Sequence, residues 1–161
     1  MKEAFLTQIQ LHEKQIYKIC HFYANNVADM QDLYQEILLQ LWKSYPNFRG
    51  ESKFNTWLYQ VAINTAITRL RKDKKHIRVY NMDHLSAEVE NEVADANKEE
   101  LYDTLYAAVE QLNEIEKAIV LLFIDGKTYA EMETILGISE PTLRVKMNRA
   151  KEKLRQLTKN I

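Results

Sequence analysis

Thr128-Tyr-Ala-Glu-Met-Glu-Thr-Ile-Leu-Gly-Ile-Ser-Glu-Pro-Thr-Leu-Arg-Val-Lys-Met-Asn-Arg-Ala-Lys151 decides the fold of the C-terminal half. Thr128 and Glu131 have capping-box spacing: the hydroxyl caps a free amide and the carboxylate reaches back. The short helix that follows stops at Gly137, because glycine takes positive φ without a Cβ clash. Ser139 is a second N-cap. Pro141 falls in the first turn of the next helix, where its missing N–H is harmless. Leu143, Met147, Ala150 and Leu154 form an inward stripe, leaving Arg144, Lys146, Asn148, Arg149 and Lys151 on other faces. A short helix, a glycine turn and a longer basic helix make a helix-turn-helix, whose second helix enters the major groove. An ordinary helical hairpin with a solvated basic face is the competing reading. The coincident caps, turn and basic run weigh against it.

Helical patterning extends upstream. Phe5, Ile9, Ile16, Ile19 and Tyr23 fall mostly on one helical face. Leu33, Ile37 and Leu41, with Tyr34, Leu38 and Trp42, form a second face. Phe54, Trp57, Leu58 and Val61 open a third, and Leu101, Leu105, Val109 and Leu112 a fourth. Three Gly and two Pro in 161 residues are too few for the frequent turns of an all-β sandwich. The reading is all-α: two small helical domains, 1–78 and 101–161, joined by a flexible acidic linker, 79–100. Cys20 is the single cysteine, which excludes an internal disulfide and fits a reducing cytoplasm. The longest apolar run, Ala118 to Ile124, is far short of the roughly 20 residues that a membrane span needs. No basic-then-apolar leader opens the chain, so no membrane insertion is expected.

A formal net charge of −1 argues at first sight against phosphate binding. The distribution reverses that impression. Residues 1–80 carry +5, residues 81–116 carry −10 and residues 117–161 carry +4. Two basic modules flank an acidic connector.

The first module holds a polar loop, Asn47 to Lys53, followed by a helix that contains Trp57 and ends in a basic run, Arg69 to Arg78. Cations bordering aromatic rings suit single-stranded nucleic acid. Phe54 and Trp57 are read in preference as core. Asp29, Asp32 and Glu36 share one helical face at three- and four-residue spacing. Metal binding needs oxygen ligands converging from several elements, and no partner cluster is visible, so this face reads as protein-docking. His12, His21, His76 and His84 are unconnected, and His12-Glu13 lacks the second histidine of a zinc motif. No phosphate-cradling glycine loop and no nucleophilic triad can be argued from spacing. The expectation is no enzyme, no metal and no cofactor.

The order of these features resembles the extracytoplasmic-function (ECF) sigma factors of the sigma-70 superfamily. Asp32-Leu-Tyr-Gln-Glu36, Leu41-Trp42, Phe48-Arg-Gly-Glu-Ser-Lys-Phe54, Thr56-Trp-Leu-Tyr59, Ala62 and Asn64 resemble their region 2. Leu112 to Leu154, with Thr128-Tyr129, Leu136-Gly-Ile-Ser139, Thr142 and Arg149-Ala150, resembles their region 4. The resemblance implies a promoter-specificity subunit of RNA polymerase. Its partners would be core polymerase (clamp coiled coil and flap), promoter DNA and an anti-sigma factor. It implies polymerase docking by Asp29, Asp32, Gln35 and Glu36. The loop Phe48, Arg49, Gly50, Glu51, Ser52 and Lys53 would capture a flipped −10 base, with Val61 and Asn64 as pocket wall. Arg69, Arg71 and Lys72 would hold adjacent phosphates. Ser139, Thr142, Arg144, Val145, Lys146, Asn148 and Arg149 would meet the −35 duplex. The acidic linker would thread a polymerase channel, mimicking nucleic acid. Glu133 stands where the family usually has a small Ala, so either the helix tilts or Glu133 points outward. Pro141 rigidifies the start of the recognition helix, and Val145 offers only apolar contact, such as with a thymine methyl. The alternative is a stand-alone helix-turn-helix regulator, which would need neither the strand-capturing loop nor the docking face.

Overall fold

The computed structural model describes residues 2–50, 53–77 and 96–158. Among these every regular element is a helix. The N-terminal half contains α1 (Lys2–Leu11), α2 (Glu13–Tyr23), α3 (Val27–Ser44), a 3-10 turn (Tyr45–Asn47) and α4 (Phe54–Ile77). The C-terminal half contains α5 (Ala96–Glu110), α6 (Glu114–Ile124), α7 (Tyr129–Leu136) and α8 (Glu140–Thr158). The expected flexible linker, 79–100, lies largely outside the described residues, and its end is already helical in α5.

In the N-terminal half, α2, α3 and α4 pack on one another around Ile16, Ile19, Leu33, Ile37, Leu41, Leu58 and Ile63, all buried. The apolar face expected over residues 5–23 is divided between two helices. The break falls at His12, whose backbone turns out of the helical region (φ −114°, ψ 14°) and whose Nδ1 lies 2.8 Å from the Gln8 carbonyl oxygen. Asn26 starts α3, its side chain accepting a hydrogen bond from the Asp29 N–H at 2.8 Å.

Cys20 is fully buried in this core. Desolvation pushes its thiol up from 9.0 to about 12, with the Arg69 charge pulling weakly the other way. The unfolded thiol ionises first as pH rises, so the native state loses stability from pH 9 toward about 12. At pH 8 the folded chain should show no reaction with a thiol reagent over an hour. The chain unfolded in guanidinium should titrate one equivalent. Rapid labelling of the folded chain would contradict the burial.

In the C-terminal half, α6 and α7 both pack on α8. A second capping box starts α6: Asn113 Oδ1 accepts from the Glu116 N–H at 2.8 Å, and Glu116 Oε1 accepts from the Asn113 N–H at 3.0 Å. Seven consecutive residues of α6, Glu116 to Leu122, are buried. A helix buried all round must have neighbours all round. Its neighbours include α8 on one side and α2 and α4 of the other half. The two halves therefore share one continuous apolar core, running from Phe5 to Ala150.

Candidate nucleic-acid interface

The helix-turn-helix forms by the local rules of its sequence. Thr128 Oγ1 accepts from the Glu131 N–H at 3.1 Å, and Glu131 Oε1 accepts from the Thr128 N–H at 3.2 Å. The Thr128 N–H first, and then its hydroxyl, donate to the Glu131 carboxyl and hold it below its ordinary range. Gly137 ends α7 in the left-handed region at φ 69°, its N–H donating to the Glu133 carbonyl at 2.8 Å. Ser139 sits at the entry to α8, where its carbonyl takes the first helical bond from Leu143 and its hydroxyl meets Thr142 Oγ1 at 3.0 Å. Leu143, Met147 and Ala150 are buried, as the stripe requires. Of the two alternatives for Glu133, it is the outward-pointing one that occurs: the residue is exposed while Met132 and Ile135 fill the interior.

The outer face of α8 presents Thr142, Arg144, Val145, Asn148 and Arg149, all exposed, with Lys146 half-buried. Val145 is 50% exposed, with its methyl groups open to solvent. Arg144 is pre-positioned. Its guanidinium lies 4.4 Å from the centre of the Tyr129 ring and donates to Glu140 Oε1 at 2.8 Å.

In the first half, Phe48 anchors its loop by packing on Trp57 (5.0 Å between ring centres) and Phe54 (5.8 Å). These rings are only half-buried. The core reading of Phe54 and Trp57 needs that adjustment: they edge the core and form the floor beneath the loop. Arg49, Gly50 and Lys53 are exposed, and Gly50 takes φ 73°. Glu51 and Ser52 lie outside the described residues. Val61 is half-buried and Asn64 exposed one turn further along α4.

The basic end of α4 is partly engaged within the molecule. Arg69 Nη2 donates to Asp29 Oδ1 at 2.7 Å, and Arg71 Nε donates to Glu114 Oε1 at 3.2 Å. Lys72 is exposed. On α3, Asp32, Gln35 and Glu36 face solvent, whereas Asp29 is turned toward Arg69. Two features of α3 escaped the sequence reading. Leu39 is 49% exposed beside Glu36, and Trp42, expected on the buried face, is 44% exposed. Leu39 could have been found as the apolar residue that breaks the Leu33–Ile37–Leu41 spacing. Among the described residues no group of acidic, His and Cys side chains could hold a metal ion, and no helix is long and apolar enough to cross a membrane.

Residues 8–76 match Sigma-70 region 2, and residues 102–154 match Sigma-70 region 4. The chain is 30% identical over 136 residues to the ECF RNA polymerase sigma-E factor of Escherichia coli K12, covering 78% of this chain and 71% of that one. It is 28% identical over 177 residues to the ECF RNA polymerase sigma factor SigW of Bacillus subtilis 168, covering 99% and 91%. Its fold is similar to that of the sigma factor RpoE of Bartonella quintana, solved in complex with the anti-sigma factor NepR. That match has a TM-score of 0.79, 17% identity and 98% coverage of both chains. A region 2 helical unit followed by a region 4 helix-turn-helix, with relatives of this similarity, places the chain in the ECF sigma factors of the sigma-70 family.

Proposed function

We propose that the chain directs core RNA polymerase to specific promoters, with residues 1–78 and 101–161 as the two working modules and 79–100 as the linker. The observation that carries this reading is the coexistence of a region 2 unit with an exposed basic recognition helix in one chain. Asp32, Gln35 and Glu36 on α3, with Leu39 among them, form the polymerase-docking face, and Asp29 supports it from beneath. A mixed apolar and acidic face of this kind suits a basic protein partner.

The loop Phe48 to Lys53 receives an extruded base of the −10 strand, with Val61 and Asn64 as wall and Arg69, Arg71 and Lys72 along the phosphates. Opening duplex DNA costs roughly 1.4 kcal/mol per stacked step. Stacking a captured base on an aromatic surface returns about 1–3 kcal/mol. Capture therefore offsets melting step by step. Ser139, Thr142, Arg144, Val145, Lys146, Asn148 and Arg149 meet the −35 duplex, where phosphate contacts set register and base-edge contacts set sequence. An anti-sigma factor is a further partner, consistent with the complex in which the similar fold was solved. The protein works in the cytoplasm beside polymerase and performs no catalytic step itself.

Run-off transcription on genomic DNA with core polymerase tests the reading. Discrete transcripts that need both components are expected. Sequence-specific gel shift by the chain alone, with no gain from core polymerase, would instead identify a stand-alone regulator. In the same system Asn64→Ala should reduce permanganate reactivity of the −10 strand while leaving duplex binding unchanged. An unaltered footprint would remove Asn64 from the pocket.

A further inference from the structure

A cavity of about 260 Å³ opens between α2, α4 and the turn after α6. Three ammonium groups line it, those of Lys14, Lys18 and Lys127, against one carboxylate, Asp125. Both oxygens of that carboxylate are already engaged. Oδ1 accepts from Lys18 and Oδ2 from the Tyr59 hydroxyl, and the side chain is only 7% exposed. The lysines are not used up in the same way. An ammonium has three N–H donors. Lys18 commits one to Asp125. Lys127 commits one to Asn55 Oδ1 at 2.6 Å, while the Glu131 carboxylate beside it stands at 3.7 Å, beyond hydrogen-bond reach. Lys14, on the exposed rim, commits none among the described residues.

Lys127 shows why these spare donors matter. Its side chain is only 16% exposed and its ammonium lies 5.2 Å from the centre of the Tyr59 ring. A cation so far from water, with a neutral amide as its hydrogen-bond acceptor, carries a desolvation cost that a bound anion would offset. The lining residues sum to +2, and Glu131 beside Lys127 brings the neighbourhood to +1. A phosphate monoester, at about −1.5 to −2 near neutral pH, matches that field.

Gln15 makes the opposite demand. It lines the same cavity, and its Oε1 is buried with no hydrogen-bond partner among the described residues. Buried acceptors without a donor are rare in native proteins. A hydroxyl entering from the cavity would supply the missing donor. The occupant therefore accepts hydrogen bonds at one end and donates at the other. Sulfate only accepts and an amine only donates; a phosphorylated polyol does both. At ~30 Å³ for each water-sized group, the cavity has room for roughly nine such groups. A phosphate on a chain of about three or four hydroxylated carbons fills that space, and a nucleotide overfills it.

We propose that this cavity is a binding site for a small phosphorylated polyol, its phosphate held by Lys14, Lys18 and Lys127 and one of its hydroxyls by Gln15. The site stands apart from the proposed function, since none of these residues belongs to the −10 or −35 surfaces described above.

Isothermal titration of the full chain with glycerol 3-phosphate, at constant ionic strength, tests the site. Saturable one-to-one binding is expected, with inorganic phosphate about tenfold weaker and sulfate or glycerol weaker still. Bound ester should also raise the thermal midpoint of the wild type. Lys14→Met removes one charged donor group and should weaken the ester about tenfold. Lys14 is exposed and holds no other residue in place, so the circular-dichroism spectrum should not change. Gln15→Met keeps the length of the side chain and should erase the advantage of the ester over inorganic phosphate. Absence of saturable binding to the wild type would overturn the site, a result that needs no variant to fold. Equal wild-type affinity for the ester and for inorganic phosphate would overturn the assignment to a polyol. Ester binding undiminished in both variants would put the ligand elsewhere and overturn the proposal as well.

Discussion

Replacing Leu121 by Ala should lower the midpoint of thermal unfolding by about 5–15 °C. Leu121 is fully buried in α6, the helix that faces α8 on one side and α2 and α4 on the other. Truncating such a residue costs about 2–5 kcal/mol, because the lost transfer energy is joined by the energy of the cavity left behind. The cavity cannot collapse easily, since the neighbouring Ile119 and Leu122 are also fully buried. A calorimetric or circular-dichroism melt measures the effect. A shift below about 2 °C would mean that α6 is not the shared core element described above.

Arg144→Ala should cost about 1–3 kcal/mol on the preferred −35 sequence, a five- to 150-fold loss in promoter use. The Tyr129 ring and Glu140 hold this guanidinium in place before DNA arrives, so little ordering is needed on binding. The loss should be sequence-selective and should shrink on promoters altered at the contacted base pair. Run-off transcription across a −35 library measures it. An equal loss on every promoter would assign Arg144 to phosphate contact instead.

The helix-turn-helix was legible in the sequence because its determinants are local. Thr128 with Glu131, Gly137 and the Leu143–Met147–Ala150 stripe each act within a turn or two of chain. The same rule, applied to Asn113 and Glu116, marks the start of α6, although that box was passed over. The docking of the halves was not legible. Lys18 and Asp125 are 107 residues apart, and Tyr59 and Asp125 66 apart. Such polar pairs have no periodicity and no spacing to read. Trp42 misled for a different reason: periodicity assigns it to the stripe, but it lies at the stripe's edge, where Phe5 covers one side of the ring and solvent the other. The charge segregation sharpened the functional reading, yet two of the cations it counted, Arg69 and Arg71, are matched by carboxylates within the fold.

The Arg69–Asp29 pair also fixes an angle. Arg69 lies twelve residues beyond Trp57 on α4, a lever of about 18 Å. A tilt of about 5° over that lever would move the Trp57 end by ~1.5 Å, half the length of a hydrogen bond. By pinning α4 to the first turn of α3, the guanidinium makes the two helices a set square. Whatever α3 rests on thereby dictates where the loop before Trp57 stands; under the proposed roles, with α3 docked on polymerase and that loop holding the −10 strand, the alignment of the two becomes a machining tolerance rather than a matter of affinity.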